Sequence, residues 1–123
     1  MMIQPISEAV IPQCLALEVS FEQRKQNKSP AEIFADAYLH QDVLRAFVLE
    51  GTKPVVVGMA SYFNNTYRGY GYWIGQFFID QRYQRQGHGT KAFGILLTEM
   101  KALADHRIIV SVDKENLTAI RLY

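Results

Sequence analysis

The stretch from Tyr72 to Val112 constrains the fold more than any other. YWIGQFFID reads as a strand, RYQRQGHG as a glycine-containing turn, TKAFGILLTEMKALA as a helix and RIIVSV as a second strand. Ala92, Phe93, Leu96, Leu97, Met100 and Leu103 recur at helical spacing, so the helix is amphipathic and lies on a sheet. A strand, a crossover helix and a second strand form a βαβ unit whose strands run parallel. Upstream, LRAFVLE, a turn at Gly51-Thr52-Lys53 and PVVVGMASYF read instead as an antiparallel hairpin rich in β-branched and aromatic residues. A chain with both must build a mixed, mostly antiparallel sheet around one parallel pair.

The N-terminal third supplies helices. MIQPI reads as a short strand, and a helix is expected between Ser7 and Val19, its start blurred by Pro12. FEQRKQNK is polar and reads as a loop. Ser29-Pro30-Ala31-Glu32 combines an N-cap serine, proline at the first helical position and a glutamate three residues after the cap. The helix it opens is expected to reach about His40 and to bury Ile33, Phe34, Ala37 and Tyr38. Asn64-Asn65 and the Gly69/Gly71 pair mark a loop, and ENLTAIRLY starts a final helix. At 123 residues the chain is expected to form one domain, 1–123.

Composition removes several function classes. The formal net charge is +1, too small for bulk attraction to nucleic acid or an anionic membrane. No apolar run approaches the roughly 20 residues of a membrane span, and MMIQPISEAV lacks the regions of a signal peptide, so a cytoplasmic protein is expected. The single cysteine, Cys14, falls with Ile11 and Leu15 on one possible helix face and reads as core. Three scattered histidines and one cysteine do not suggest a metal site.

The turn Gln84-Arg85-Gln86-Gly87-His88-Gly89 carries the chemistry. A turn that leaves a strand and opens a helix aims several backbone N–H groups at one point, where the helix dipole adds about half a positive charge. Gly87 and Gly89 permit backbone angles and a close approach that side chains would block. Arg82, Arg85 and Lys91 would help neutralise a phosphate or diphosphate there. The string alone is weak, since a glycine-rich connection without a ligand has the same letters; its place between strand and amphipathic helix adds weight. A Rossmann site would need three glycines within an all-parallel sheet. A Walker loop would need Gly-Lys-Ser/Thr, whereas Gly89-Thr90-Lys91 has the wrong order.

FFIDQRYQRQGHGTKAF is similar to the central Q/RxxGxG/A motif of the GNAT superfamily of N-acetyltransferases, and Asn116-Leu117-Thr118-Ala119-Ile120-Arg121-Leu122-Tyr123 resembles its later NxxAxxLY motif. The resemblance spans about residues 2 to 123. The Ile-Asp-x-x-Tyr-Gln wording and Val19-Ser20-x-Glu22-Gln23 resemble the spermine/spermidine, or diamine, acetyltransferase subgroup. It implies an α+β fold with helices on both faces of the mixed sheet, and transfer of an acetyl group from acetyl-CoA to a primary amine. Gln84, Arg85, Gln86, Gly87, His88, Gly89 and Thr90 would bind the diphosphate. Phe78 and Ile79 would offer main-chain hydrogen bonds to the pantetheine arm, where their strand splays from RIIVSV. Asn116 would contact the coenzyme and Tyr123 would sit near the thioester sulfur.

An amine with a pKa of about 10.4 costs roughly 4.6 kcal/mol to neutralise at pH 7. Relatives often place a glutamate on the strand before the glycine turn, but Tyr72-Trp73-Ile74-Gly75-Gln76-Phe77-Phe78 has no carboxylate. No base is named, and deprotonation through water is left. Glu22, Glu32 and Asp36 read as solvated surface rather than an acidic amine site. Relatives also continue past the Leu-Tyr step with further strands, so the resemblance implies a shortened C-terminus and self-association through the bare edge near 107–112. A catalytically inactive acyl-CoA-binding or interaction module of the same fold is the alternative reading.

Overall fold

The computed structural model describes residues 1–20, 28–64, 72–103 and 108–110. Five strands form one sheet in chain order: β1 (Met2–Pro5), β2 (Val43–Leu49), β3 (Val55–Asn64), β4 (Tyr72–Ile79) and β5 (Ile108–Val110). The first four pair antiparallel, and β4 pairs with β5 in parallel. The mixed sheet expected from the hairpin and the βαβ unit is therefore present.

The sheet is covered on both faces. α1 (Ile11–Leu15) and α2 (Pro30–His40) pack on one, where Cys14, Leu17 and Ile33 meet Ala46, Val56, Met59 and Phe78. α3 (His88–Leu103) packs on the other, where Ala92, Phe93, Leu96 and Met100 meet Phe47, Val57, Tyr62, Ile74 and Ile79. Under α3, Phe77 stands edge-on to Phe47 and to Phe93 at 5.6 and 5.4 Å between ring centres. The Tyr62 hydroxyl, in the same core, donates to Glu99 Oε2 at 2.7 Å, and Glu99 also receives Arg45 Nε at 2.9 Å. Burial and the neighbouring carboxylate hold the Tyr62 phenol above its usual range. This polar cluster ties α3 to β2 and β3.

α2 begins as its sequence predicts. Ser29 and Glu32 exchange both arms of a capping box, and Gln41 closes the helix in the left-handed region at φ 59°. Ile33 and Ala37 are buried, whereas Tyr38 is 86% exposed, contrary to expectation. Its position satisfies helical spacing, but α2 is only half sunk into the sheet and the apolar stripe is narrower than the pattern. Leu15 and Leu103, also expected inside, are exposed for a similar reason: each lies at the last turn of its helix, beyond the sheet. α1 is shorter than the Ser7–Val19 window, with Pro12 in its first turn, where a missing N–H costs least.

Two irregularities shape β4. Between Phe47 and Val48 the β2–β3 register skips Val57; between Ser61 and Tyr62 the β3–β4 register skips Gly75. Each skipped residue is a bulge. Past the end of β4 the β3–β4 register continues, with Asp80 N donating to Val57 O at 2.8 Å. The second bulge reverses the alternation, so that Ile74 and Phe77, three residues apart, both face α3. Gly58 is required beside the first bulge: a Cβ there would lie 2.5 Å from Phe78 O.

Cys14 is fully buried, and desolvation pushes its thiol up to about 11. The folded protein at pH 8 is expected to resist iodoacetamide, with alkylation appearing only in denaturant. Rapid labelling of folded protein, followed by mass spectrometry, would contradict this placement of α1.

Candidate functional site

The site forms where β4 hands the chain to α3. β5 pairs with β4 only over Tyr72–Ile74, so the edge from Gly75 to Ile79 has no strand partner among the described residues. Main-chain direction alternates along a strand. Asp80 N reaches Val57 on β3, and Phe78 O lies against Gly58 of the same strand. Ile79, between them, directs its N–H and C=O to the open side. Its carbonyl is taken: Gln84 Nε2 donates to it at 2.9 Å. Of the two residues expected to face a ligand with their main chains, Phe78 instead faces β3.

After Asp80 comes a single 3-10 turn, Gln81–Tyr83, and then the glycine turn. Arg85 and Gly87 both take positive φ, 63° and 82°. Residues that alternate in hand turn successive N–H groups into a concave nest for an anion. Arg85 holds this conformation without glycine's freedom, a strain of about 1 kcal/mol or more of the kind concentrated at functional sites. α3 starts at His88, so the helix begins inside the motif rather than after it. The two glycines act differently. Gly87 supplies the angle. Gly89 has no unusual φ, and a Cβ there would meet only Ile79 Cγ1, at 3.9 Å, so what it preserves is space.

Three features fit a phosphate guest such as the coenzyme diphosphate. The first turn of α3 aims its N–H groups out of the helix end, the first to bond back being Lys91 N, to Gly87 O at 3.3 Å. Arg85 and Lys91 make no ion pair among the described residues. His88 Nδ1 is buried without a hydrogen-bond partner among them. Arg82 does not join this group, contrary to expectation: its Nε and Nη2 are 2.9 and 2.8 Å from Asp80, and Glu18 Oε2 lies 3.9 Å away. A groove of about 690 Å³ opens on the far flank of α3, between Met1, Ile3, Gly94, Ile95, Thr98 and Glu99; Thr90 and Lys91 reach it, but no residue from Gln84 to Gly89 lines it.

The face of β4 turned away from α3 is neutral. Gln76 stands there, and its Oε1 accepts from Lys28 N at 3.0 Å. Lys28 Nζ pairs with Asp36, and Glu32 is engaged in the capping box, so neither carboxylate is free to bind an amine. Glu22, Asn116, Tyr123 and the remainder of the 107–112 strand lie outside the described residues. Among the described residues no group of three or more histidine, cysteine or acidic side chains could hold a metal, and no helix is long and apolar enough to cross a membrane.

Known proteins resemble both the sequence and the fold. The chain is 42% identical over 52 residues to the spermine/spermidine N(1)-acetyltransferase of Bacillus subtilis (strain 168), a match covering 42% of this chain and about a third, 34%, of that relative. The ribosomal-protein-alanine N-acetyltransferase of Brucella melitensis superposes with a TM-score of 0.67 at 18% identity, over 99% of this chain and 80% of that one. A chain of the NatC complex bound to Gag peptide and CoA superposes with a TM-score of 0.69 at 17% identity, again over 99% and 80%. The description of the acetyltransferase (GNAT) family matches residues 11–123. Because that match spans most of the sequence, this chain belongs to the acetyltransferase (GNAT) family.

Proposed function

We propose that this chain transfers the acetyl group of acetyl-CoA directly to a primary amine, with polyamines the first acceptor class to test. The observation that carries the reading is the continuity of the open edge at Gly75–Ile79 with the anion nest at Gln84–Gly89. A long ligand with a diphosphate at one end and an amide-bearing arm at the other matches that track. Acetyl-CoA supplies an activated thioester. Gln86, Gly87, His88, Gly89 and Thr90 hold the diphosphate through main-chain N–H groups, aided by the Arg85 and Lys91 charges. Gln84 acts indirectly, by closing the turn onto Ile79. Ile79 offers its N–H to the pantetheine arm, in place of the main chain of Phe78. Asn116 adds a further coenzyme contact. Tyr123 donates a hydrogen bond that strengthens as charge develops on sulfur. Polyamine specificity rests on the partial match to the B. subtilis relative.

With Gln76 where a base would stand, this chain deprotonates the amine through water and relies on holding the two reactants together. The same neutral residue favours the second reading, an inactive acyl-CoA-binding module. Acetyl-CoA consumption with spermidine, spermine, diaminopropane and an N-terminal peptide separates the two. Turnover is expected with the polyamines, and its absence across the panel at millimolar amine would favour the binding module.

Binding of acetyl-CoA is expected to stabilise the fold. At 100 times the dissociation constant the gain is about 2.7 kcal/mol, several degrees in melting temperature. No shift at millimolar acetyl-CoA would sink the coenzyme reading.

Gly89→Val is the sharper test of the turn. The position is helical, with an ordinary φ and no close neighbour, so stability is expected to change by less than about 1 kcal/mol. Coenzyme affinity is expected to fall at least tenfold, about 1.4 kcal/mol. Calorimetric titration with coenzyme A checks it, and unchanged affinity would place the phosphates elsewhere.

A further inference from the structure

We propose that Asp80 is a positioning residue, which through Arg82 and Glu18 sets where the glycine turn stands relative to the open edge of β4. The inference rests on the reading of that turn as the coenzyme site.

Asp80 is fully buried, and a buried carboxylate is tolerated only when its oxygens are filled. Here they are filled four times. Oδ1 accepts from Arg82 N at 2.8 Å and Arg82 Nε at 2.9 Å. Oδ2 accepts from Glu18 N and Arg82 Nη2, both at 2.8 Å. Its main chain is occupied too, with N on Val57 O at 2.8 Å and O on Tyr83 N at 2.9 Å. Burial alone would push the carboxyl up, but these donors outweigh it and hold it below the usual carboxylate range. The group is an ionised node joining three parts of the chain.

Those parts explain its purpose. Residues 80–87 belong to neither β4 nor α3, and their path decides how far the nest stands from Ile79. The Arg82 fork closes the 3-10 turn on one side, and Gln84 Nε2 on Ile79 O closes it on the other. Glu18 anchors the assembly to the far face of the sheet: its N–H reaches Asp80, and its carbonyl receives Gln81 N at 2.9 Å. Arg82 is half exposed and carries a charge that could have served the ligand, yet it is spent on Asp80. An arginine fork fits a carboxylate through two parallel N–H groups, which a lysine cannot reproduce.

That difference supplies the test. Coenzyme A is titrated into Asp80→Asn, Arg82→Ala, Arg82→Lys and Gly89→Val, each well below its own melting temperature. Asp80→Asn turns an amide N–H₂ toward existing donors, and at least tenfold weaker binding is expected from the folded variant. Arg82→Ala and Arg82→Lys are expected to bind about fivefold more weakly than the parent, and to a similar extent. A purely structural role would lower the melting temperature and leave these affinities alone. Full recovery by Arg82→Lys would mean that the charge acts on the phosphate directly, and would overturn the proposal. Should Asp80→Asn not fold, the alanine–lysine pair decides. If Gly89→Val weakens binding while the Asp80 and Arg82 variants do not, only the positioning inference falls. If Gly89→Val also binds as the parent does, the turn is not the coenzyme site.

Discussion

The structure depends on an unequal division of hydrogen bonds along β4. Its β3 side is paired from Tyr72 against Asn64 to Ile79 against Gly58, interrupted at the Gly75 bulge. Its β5 side is paired over Tyr72–Ile74 among the described residues. A strand held along one side by its neighbour can leave part of its other side without a strand partner among the described residues. On the proposed reading, that open half is where a ligand with amide groups would lie, next to the main-chain N–H of Ile79. Two details serve this arrangement. Val57 O receives Asp80 N, which continues the β3–β4 pairing past the end of β4. The bulge at Gly75 reverses the alternation where the β5 pairing stops.

The elements were legible in the sequence where local chemistry decides them. The capping box at Ser29 to Glu32, the hairpin around Gly51 and the strand–turn–helix from Tyr72 to Leu103 depend on residues close together in the chain, and each stands where expected. What escaped depends on distance. Tyr38 follows the helical period, but its exposure is set by how deeply α2 sinks into the sheet. The bulges at Val57 and Gly75 need two strands to define them. A lone glycine in a strand pattern, as at Gly58 or Gly75, was the available signal of irregular pairing.

The charges near the turn teach the same lesson more pointedly. Arg82, Arg85 and Lys91 look equivalent in sequence, all cations within a few residues of the glycines. Only Asp80 separates them. Its carboxylate is two residues from Arg82, and the 3-10 turn brings the guanidinium back onto it, while Arg85 and Lys91 stay unpaired among the described residues. The Ile-Asp step was visible as part of a motif. Its physical meaning needed Glu18, 62 residues earlier in the chain, whose N–H fills the remaining acceptor site.

The absence of a carboxylate on β4 bears on how much chemistry the protein must supply. Neutralising an amine at pH 7 costs about 4.6 kcal/mol. Fixing two reactants in a productive geometry is worth about 7–11 kcal/mol when the alignment is good. Positioning alone therefore exceeds the deprotonation cost by several kcal/mol, provided the thioester end of the ligand is held as firmly as the phosphate end. That condition returns the burden to the backbone. On the proposed reading, the phosphate end would be fixed by the nest and the first turn of α3, and the arm by the edge of β4. The two are joined through residues 80–87, where the buried Asp80 carboxylate accepts from Arg82 and Glu18. With no carboxylate on β4 itself, an error of an ångström along that segment would fall on the rate of the proposed transfer.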